Sequence, residues 1–161
     1  MPYQIRPATL ADADALAHQR VAMFTDMGRS FDAAEVERAF RDWLHEMMTG
    51  GVYHAWLVED RDARLVVAGG GLSILPWPPG PSYMVDRLAF VYNVYVEGEH
   101  RRRGLARLVM ETIHAFCRAN GIKSIALNAS DDGRPLYDAL GYAVTPSPMM
   151  FFAVEDDVFC S

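Results

Sequence analysis

Apolar residues in the first third of this chain follow the spacing of one short strand and two helices. The run from Tyr3 to Arg6 predicts the strand. Apolar residues then recur every three to four positions from Leu10 to Phe24, after the capping residue Thr9, and again from Val36 to Met47. This spacing is typical of amphipathic helices, and Gly50-Gly51 predicts the end of the second one.

The middle third predicts a block of strands. Residues 53–59 and 65–75 are two runs rich in apolar side chains, and residues 60–63 supply a polar turn between them. Gly69-Gly70-Gly71 within the second run indicates a bulge or a close approach of another group to the backbone. The proline-rich stretch 76–81 lacks amide donors, so it predicts a stiff loop.

The remaining sequence predicts alternating strands and helices. The run from Arg87 to Val96 is apolar on both faces, as a buried central strand is. The later predicted elements are a helix from Leu105 to Ala119, a strand over 124–128, a short helix from Asp132 to Gly141, and strands over 142–144 and 149–154. The order β-α-α-β-β-β-α-β-α-β-β predicts an α/β (α+β) fold in one domain over 1–161, with a mixed sheet and helices on both faces.

Composition narrows the function classes. The chain has 161 residues, of which 51% are apolar, so a folded core is expected rather than disorder. The net charge of −6 argues against nucleic acid as the partner, and a local group of arginines on an acidic protein suits a small polyanion better. Cys117 and Cys160 have neither metal-site nor disulfide spacing, so no metal is expected.

The chain also lacks the patterns of membrane and secreted proteins. No apolar run reaches transmembrane length, and residues 1–6 contain no apolar core of a secretory signal. We therefore expect a cytoplasmic protein without a membrane partner.

The strongest chemical signal lies where the strand 87–96 runs through three consecutive arginines, residues 101–103, into the helix that begins at Leu105. The first N–H groups of a helix have no partner within it, and the positive end of the helix dipole lies behind them. Gly104 and Ala106 leave room for a ligand to approach the backbone. The segment predicts a phosphate or pyrophosphate site; the alternative is a basic helix start in solvent.

Two segments resemble the signatures of the GNAT superfamily, the acyl-CoA-dependent N-acyltransferases. Arg101-x-x-Gly104-x-Ala106 is similar to the family's Arg/Gln-x-x-Gly-x-Gly/Ala. Leu136-Tyr137-x-x-Leu140-Gly141-Tyr142 is similar to its Leu-Tyr-x-x-Leu-Gly-Phe, with tyrosine as the last aromatic residue. The resemblance implies the GNAT fold, with a mixed, mostly antiparallel sheet whose central strands splay apart. It also implies acetyl-CoA as the cosubstrate.

The resemblance implies roles for individual residues. The Val94 N–H would polarise the thioester carbonyl, and Val96 would pair with the pantetheine arm. Tyr137 would be the general acid for the thiolate, although a core tyrosine is the structural alternative. Ser130 replaces an asparagine that often contacts CoA, so the adjacent candidate is Asn128. The residues predicted to bind the cosubstrate are Val94, Tyr95, Val96, Arg101, Arg102, Arg103, Gly104, Leu105, Ala106, Asn128, Ser130 and Tyr137, of which Val94 and Tyr137 are predicted to be catalytic.

No side chain is predicted to act as the general base. Some family members carry a glutamate four residues before the carbonyl-polarising position, where this chain has Phe90. Asp86, Glu97 and His100 are near in sequence, but each is more typical of a solvated loop, and we expect a water chain instead.

Acceptor selection is predicted to come from the first two helices and the Trp77 loop. The aromatic and methionine candidates for its wall are Phe24, Met27, Phe31, Trp77 and Tyr83, and the carboxylates that would hold a cation are Asp26, Asp32 and Asp86. A core or loop-anchoring role is the alternative for each of them.

The sequence therefore predicts an N-acetyltransferase that moves an acetyl group from acetyl-CoA to a primary amine of a small molecule or peptide. Direct attack in a ternary complex is expected, because neither cysteine lies in the predicted site. The alternative hypothesis is a non-catalytic acyl-CoA-binding module that acts as a sensor. A homodimer is expected from the resemblance alone.

Overall fold

The computed structural model describes residues 2–81 and 84–155. The chain divides into two compact units, Met1–Asn128 and Ala129–Ser161. Among the described residues, the first unit contains one five-stranded sheet and three α-helices, and the second contains one short helix. The prediction of one domain over the whole chain stays a prediction.

The sheet has the strand order β1-β2-β3-β4-β5. Its strands are β1 Tyr3–Pro7, β2 Tyr53–Asp60, β3 Leu65–Pro76, β4 Arg87–Val96 and β5 Ile125–Leu127. The first four strands pair antiparallel with their neighbours, and β5 pairs parallel with β4. The mixed, mostly antiparallel sheet that the sequence predicted is therefore confirmed.

The α-helices are α1 Ala13–Asp26, α2 Ala33–Thr49, α3 Leu105–Ala119 and α4 Arg134–Ala139. A 3-10 turn, Leu10–Asp12, precedes α1, and the Thr9 N–H donates to the Asp12 carboxylate over 2.8 Å. Thr9 is a capping residue as predicted, although the regular α-helix begins only after the 3-10 turn. No helix among residues 2–81 and 84–155 is long and apolar enough to cross a membrane.

Gly69, Gly70 and Gly71 allow helices to pack closely on both faces of β3. A Cβ at Gly69 would overlap the Gln19 side chain of α1, and a Cβ at Gly71 would overlap the hydroxyl of Tyr53. On the opposite face, a Cβ at Gly70 would lie 2.8 Å from the Val109 side chain of α3. The expected close approach is confirmed, because helices α1 and α3 meet the sheet where β3 has no side chains.

A bulge in β4 lies opposite the same glycines. Gly69 pairs with Tyr95 and Gly71 pairs with Tyr92, so Gly70 faces two residues, Asn93 and Val94. Asn93 has a left-handed φ of 60°, a conformation that asparagine adopts more readily than most other residues. The bulge therefore interrupts the ladder immediately before Val94.

The two central strands separate after a short contact. Only Ala89, Phe90 and Val91 of β4 pair with β5, through residues 125–127. Residues 92–96 of β4 therefore have no strand partner on the β5 side within the described chain. This is the splayed arrangement that the sequence predicted.

The predicted strands 142–144 and 149–154 are wrong, because the structure has no regular structure in either segment. Pro146 and Pro148 lie between them and cannot donate to a ladder. Apolar side chains of the segment 149–154 are exposed, Met150 at 88% and Phe152 at 87%. Without a packed face to bury those side chains, strand propensity alone does not order the segment.

Candidate active site

The loop between β4 and α3 has the backbone geometry of an anion-binding turn. A 3-10 turn, Gly98–His100, leads into two left-handed residues, Arg102 with a φ of 60° and Gly104 with a φ of 77°. The next residue, Leu105, begins α3 and is buried against the core. Left-handed residues in a turn before a helix can direct successive N–H groups to one side, as in phosphate-binding nests.

The donors of this loop are open. Within the described chain, no N–H of residues 102–106 donates a hydrogen bond to another residue. A Cβ at Gly104 would have no protein atom within 4 Å, so the space beside these donors is not filled by the fold. Five unpaired N–H groups at the start of a 15-residue helix suit a phosphate or pyrophosphate.

The three arginine side chains of the loop differ in their partners. Arg101 donates from Nε to the Val96 carbonyl over 3.0 Å and forms a 2.5 Å ion pair with Asp26, which raises the pKa of the guanidinium. Arg103 donates to the Tyr3 hydroxyl over 2.9 Å. Arg102 is exposed and forms no ion pair or hydrogen bond with a described residue, which leaves its side chain available to a ligand.

The strand residues of the predicted site lie where β4 leaves β5. Val94 is the second residue of the bulge and is half-buried, and its side chain lies on the α3 face beside Gly70. Tyr95 is buried, its hydroxyl lies 3.3 Å from Glu97, and burial raises its pKa to about 12. The Val96 carbonyl accepts from Arg101. Bulges commonly bend the strand that contains them, so β4 changes direction at the peptide bond before Val94.

Asn128 is exposed and lies directly after β5, in the first unit. Ser130, in the second unit, has a structural role there, because its carbonyl accepts from the Arg134 N–H over 2.9 Å and its hydroxyl lies 3.2 Å from the Gly133 nitrogen. These contacts form the turn that begins α4.

Tyr137 is buried within the second unit, at 9% exposure. Its ring packs edge-on against Tyr142 with a centroid separation of 5.8 Å, and a Cβ at Gly133 would touch it at 2.9 Å. Burial raises the pKa of the Tyr137 phenol above its ordinary value of about 10. The side chain is therefore a protonated donor at neutral pH.

The sequence candidates for a general base are engaged or exposed. Glu97 bonds to His18 over 2.7 Å as well as to Tyr95. His100 bonds through Nδ1 to the Tyr3 hydroxyl over 2.9 Å. The Asp86 side chain is 87% exposed. Phe90, four residues before Val94, stacks on Tyr92 with ring centroids 5.0 Å apart, so an aromatic pair lies at this position.

The carboxylates predicted to hold a cation have other partners. Asp26 pairs with Arg101, and Asp32 caps α2 by accepting from the Glu35 N–H over 3.1 Å. Phe24 and Phe31 are in edge contact at 6.0 Å, as part of the predicted aromatic wall. Tyr83 lies outside the described residues. Among the described residues, no group of three histidine, cysteine or carboxylate side chains has the arrangement of a metal site.

Sequence patterns did not identify a polar network on the other face of β4. The Asn93 amide donates to the Tyr53 hydroxyl over 3.1 Å, and its oxygen accepts from Arg20 over 2.5 Å. A lone asparagine within the apolar run Val91-Tyr92-Asn93-Val94 was the available signal. A buried polar residue in a central strand needs partners, and these come from α1 and β2.

Comparison with known proteins decides the family. The sequence pattern of the Acetyltransferase (GNAT) family matches residues 18–142, more than half of the chain. The chain belongs to this GNAT acetyltransferase family. Its acetyltransferase fold is similar to that of a GCN5-related N-acetyltransferase from Ralstonia eutropha JMP134. That structure has a TM-score of 0.83 and 32% identity, over 93% of this chain and 98% of the other.

Two further solved structures share the GNAT fold at lower identity. A predicted acetyltransferase from Clostridium acetobutylicum, solved with acetyl-CoA, has a TM-score of 0.81 and 22% identity, over 93% of this chain and 96% of its own. A ribosomal-protein-alanine N-acetyltransferase from Brucella melitensis biovar Abortus 2308 has a TM-score of 0.69 and 20% identity, over 95% of this chain and all (100%) of its own. No curated protein matches this sequence. As a GNAT member, the chain is an acetyltransferase.

Proposed function

We propose that this GNAT protein transfers an acetyl group from acetyl-CoA to a primary amine of a small molecule or peptide, by direct attack in a ternary complex. The observation that supports this most is the set of unpaired N–H groups at residues 102–106. Acetyl-CoA supplies the acetyl group as an activated thioester. The protein's own groups bind its phosphates, polarise the carbonyl and return a proton to the sulfur.

The loop provides the phosphate site. Its open donors lie at the N-terminus of α3, where the helix dipole adds to their attraction for an anion. The Arg102 guanidinium is exposed beside them and adds a charge-assisted contact. The solved Clostridium acetobutylicum relative contains acetyl-CoA, which supports the same cosubstrate for this chain.

The splayed part of β4 provides the arm and carbonyl sites. In the described part of the chain, residues 92–96 lack a strand partner on the β5 side, so an extended pantetheine arm has free backbone with which to pair. The Val94 N–H follows the Asn93 bulge and is assigned to the thioester carbonyl. Removal of one such donor costs about 3 kcal/mol of transition-state stabilisation in other enzymes. A hydrogen bond from the Val94 N–H would therefore supply a substantial part of the rate enhancement.

Proton transfers use Tyr137 and water in this proposal. The raised pKa of Tyr137 keeps the phenol protonated, which suits a donor to the leaving thiolate. A water chain removes the proton of the attacking ammonium, because Glu97 and His100 are engaged in other contacts.

Direct transfer is favoured over an acyl-enzyme. Cys117 is buried at 1% exposure in α3, and burial raises the pKa of its thiol. A buried, protonated thiol is a poor nucleophile. Cys160 lies outside the described residues.

The test is acetyl-CoA-dependent release of free CoA with a panel of primary amines, followed by mass analysis of the amine. A mass gain of one acetyl group on an amine supports the proposal. Tight acetyl-CoA binding without release above hydrolysis for any amine supports the non-catalytic acyl-CoA-binding module instead. A stable acetyl adduct on the protein would contradict direct attack.

A further inference from the structure

A cation without a carboxylate partner lies next to the proposed site. Arg20, on α1, is half-buried, and its Cζ lies 4.9 Å from the Phe24 ring centroid and 5.1 Å from that of Phe40. Its Nη1 donates to the Asn93 side chain over 2.5 Å. In the part of the chain that the structure describes, no carboxylate forms an ion pair with it.

Three other arginines in the same unit are paired with carboxylates. Arg6 pairs with Asp12 and Glu59, Arg41 pairs with Glu37, and Arg101 pairs with Asp26. Their partners raise the pKa of each guanidinium. Desolvation by burial instead lowers the pKa of Arg20. A desolvated charge is costly unless it is paired, so an arginine held here without a carboxylate has capacity for an anion.

The groups around Arg20 do not supply that anion. Its electrostatic neighbours are the side chains of Tyr53 and Tyr92, neither of which is a carboxylate. Burial raises the pKa of Tyr53 to about 12. The Asn93 contact uses one of the five N–H donors of the guanidinium, so a planar oxyanion still has donors to bind.

The position of Arg20 links it to the acceptor. Asn93, which Arg20 contacts, is bonded directly to Val94, the residue assigned to the thioester carbonyl. Arg20 is therefore held against the residue that directly precedes Val94 in the strand. Of the three carboxylates expected to hold a cationic acceptor, Asp26 is bound to Arg101 and Asp32 caps α2. The third, Asp86, is largely exposed and lies 3.7 Å from Arg87.

We propose that the acceptor is an anionic amine, whose carboxylate or phosphate is bound by Arg20 while its amino group attacks at Val94. This inference rests on the proposed function, and it narrows the acceptor from any primary amine to amines that carry an oxyanion. The rings of Phe24 and Phe40 hold the guanidinium plane, so its fork is preorganised for a bidentate contact.

The test compares amines that differ only in the anion. Amino acids are assayed beside their carboxamides, and phosphoethanolamine beside ethanolamine, by CoA release. The wild-type kcat/KM is expected to be at least about tenfold higher for the anionic member of one pair. This is the effect on kcat/KM that a charge-assisted hydrogen bond to the anion would have. The pair that shows the preference distinguishes a carboxylate from a phosphate. Equal kcat/KM values within both pairs would overturn the proposal.

Variants assign the preference to Arg20. Arg20→Gln keeps a donor for Asn93 and removes the charge, so the ratio within the preferred pair should fall towards one. Arg20→Lys keeps the charge but loses the planar guanidinium, so part of the difference in kcat/KM within the preferred pair should remain. Arg38→Gln is the matched control, because it removes an exposed arginine of α2. An unchanged ratio in both Arg20 variants would contradict the assignment.

A binding measurement separates this inference from the proposed function. Titration with acetyl-CoA tests the cosubstrate site alone, and the melting temperature with each amine pair tests Arg20 without turnover. Stabilisation by the anionic member only, lost in Arg20→Gln, supports the anion site even if no acetyl transfer occurs. If no amine is acetylated, the absence of any difference between pair members in melting temperature would overturn the inference.

Discussion

At the scale of single residues, the site depends on backbone conformation as much as on side chains. Arg102 and Gly104 have left-handed backbones, and the N–H groups that follow them have no partner among the described residues. The Arg101 side chain, in contrast, is held by Asp26 and Val96. The arginine side chains of the loop therefore keep positive charge near the site, while the backbone N–H groups provide the donors for a bound phosphate.

Gly104→Glu should abolish most acetyl-CoA binding. The new side chain enters the open space beside the donors and adds a negative charge near the phosphates. We expect at least about a hundredfold weaker affinity by calorimetric titration, together with about 1 kcal/mol of lost stability from the left-handed backbone.

Gly51→Glu is the matched control for this substitution. Gly51 has a φ of 71° and equally open surroundings, but lies at the end of α2. The control should lose similar stability and keep its affinity for acetyl-CoA. Equal affinity in the two variants would contradict the loop assignment.

Tyr137→Phe should lower kcat by about 10²- to 10⁴-fold and leave acetyl-CoA affinity nearly unchanged, because the ring is kept and only the proton donor is lost.

Since burial raises the pKa of Tyr137, its proton is present below the ordinary value of about 10 and is lost only as pH rises through the raised value. Wild-type kcat should therefore show no alkaline decline from this group up to pH 10. A decline centred below pH 9 that disappears in Tyr137→Phe would contradict this.

At the scale of elements, the glycines of β3 and the bulge of β4 position the site. Gly69 to Gly71 let α1 and α3 pack onto opposite faces, while the bulge places a left-handed Asn93 before Val94. The side chain of Asn93 is then bound by α1 and β2. A local bend in one strand is thus fixed by contacts from two other elements.

The sequence predicted the elements whose signals are local. The bounds of β4 and α3 were correct, because a run apolar on both faces and an amphipathic repeat each lie within one segment. The network of Arg20, Asn93 and Tyr53 was missed, because it joins residues that are 73 and 40 positions apart. The bulge depends on the register between two strands, which periodicity in either strand does not report.

Gly71→Ala should destabilise the protein by about 1–3 kcal/mol, because its Cβ would overlap the buried Tyr53 ring and the strand cannot move without losing its pairing. The melting temperature should fall by several degrees. Gly80→Ala, at an open loop position, should change stability by less than about 0.5 kcal/mol. A Gly71 variant as stable as the Gly80 variant would contradict the packing account.

At the scale of the whole molecule, an acidic chain carries a local site for a polyanion. The net charge is −6, yet the loop at residues 101–106 combines three arginines with open donors. Long-range repulsion is screened at physiological salt, so short contacts at the loop dominate binding. The cytoplasmic location and the homodimer stay predictions.

The most direct test of the account is the melting temperature of the wild-type protein with acetyl-CoA, beside an acetyl thioester that lacks the pyrophosphate. A ligand that binds only the native state at 100 times its Kd adds about 2.7 kcal/mol, which predicts a rise of about 5–10 °C with acetyl-CoA. The truncated thioester should give little or no rise. No shift with millimolar acetyl-CoA, or an equal shift with the truncated thioester, would contradict a pyrophosphate site at residues 101–106.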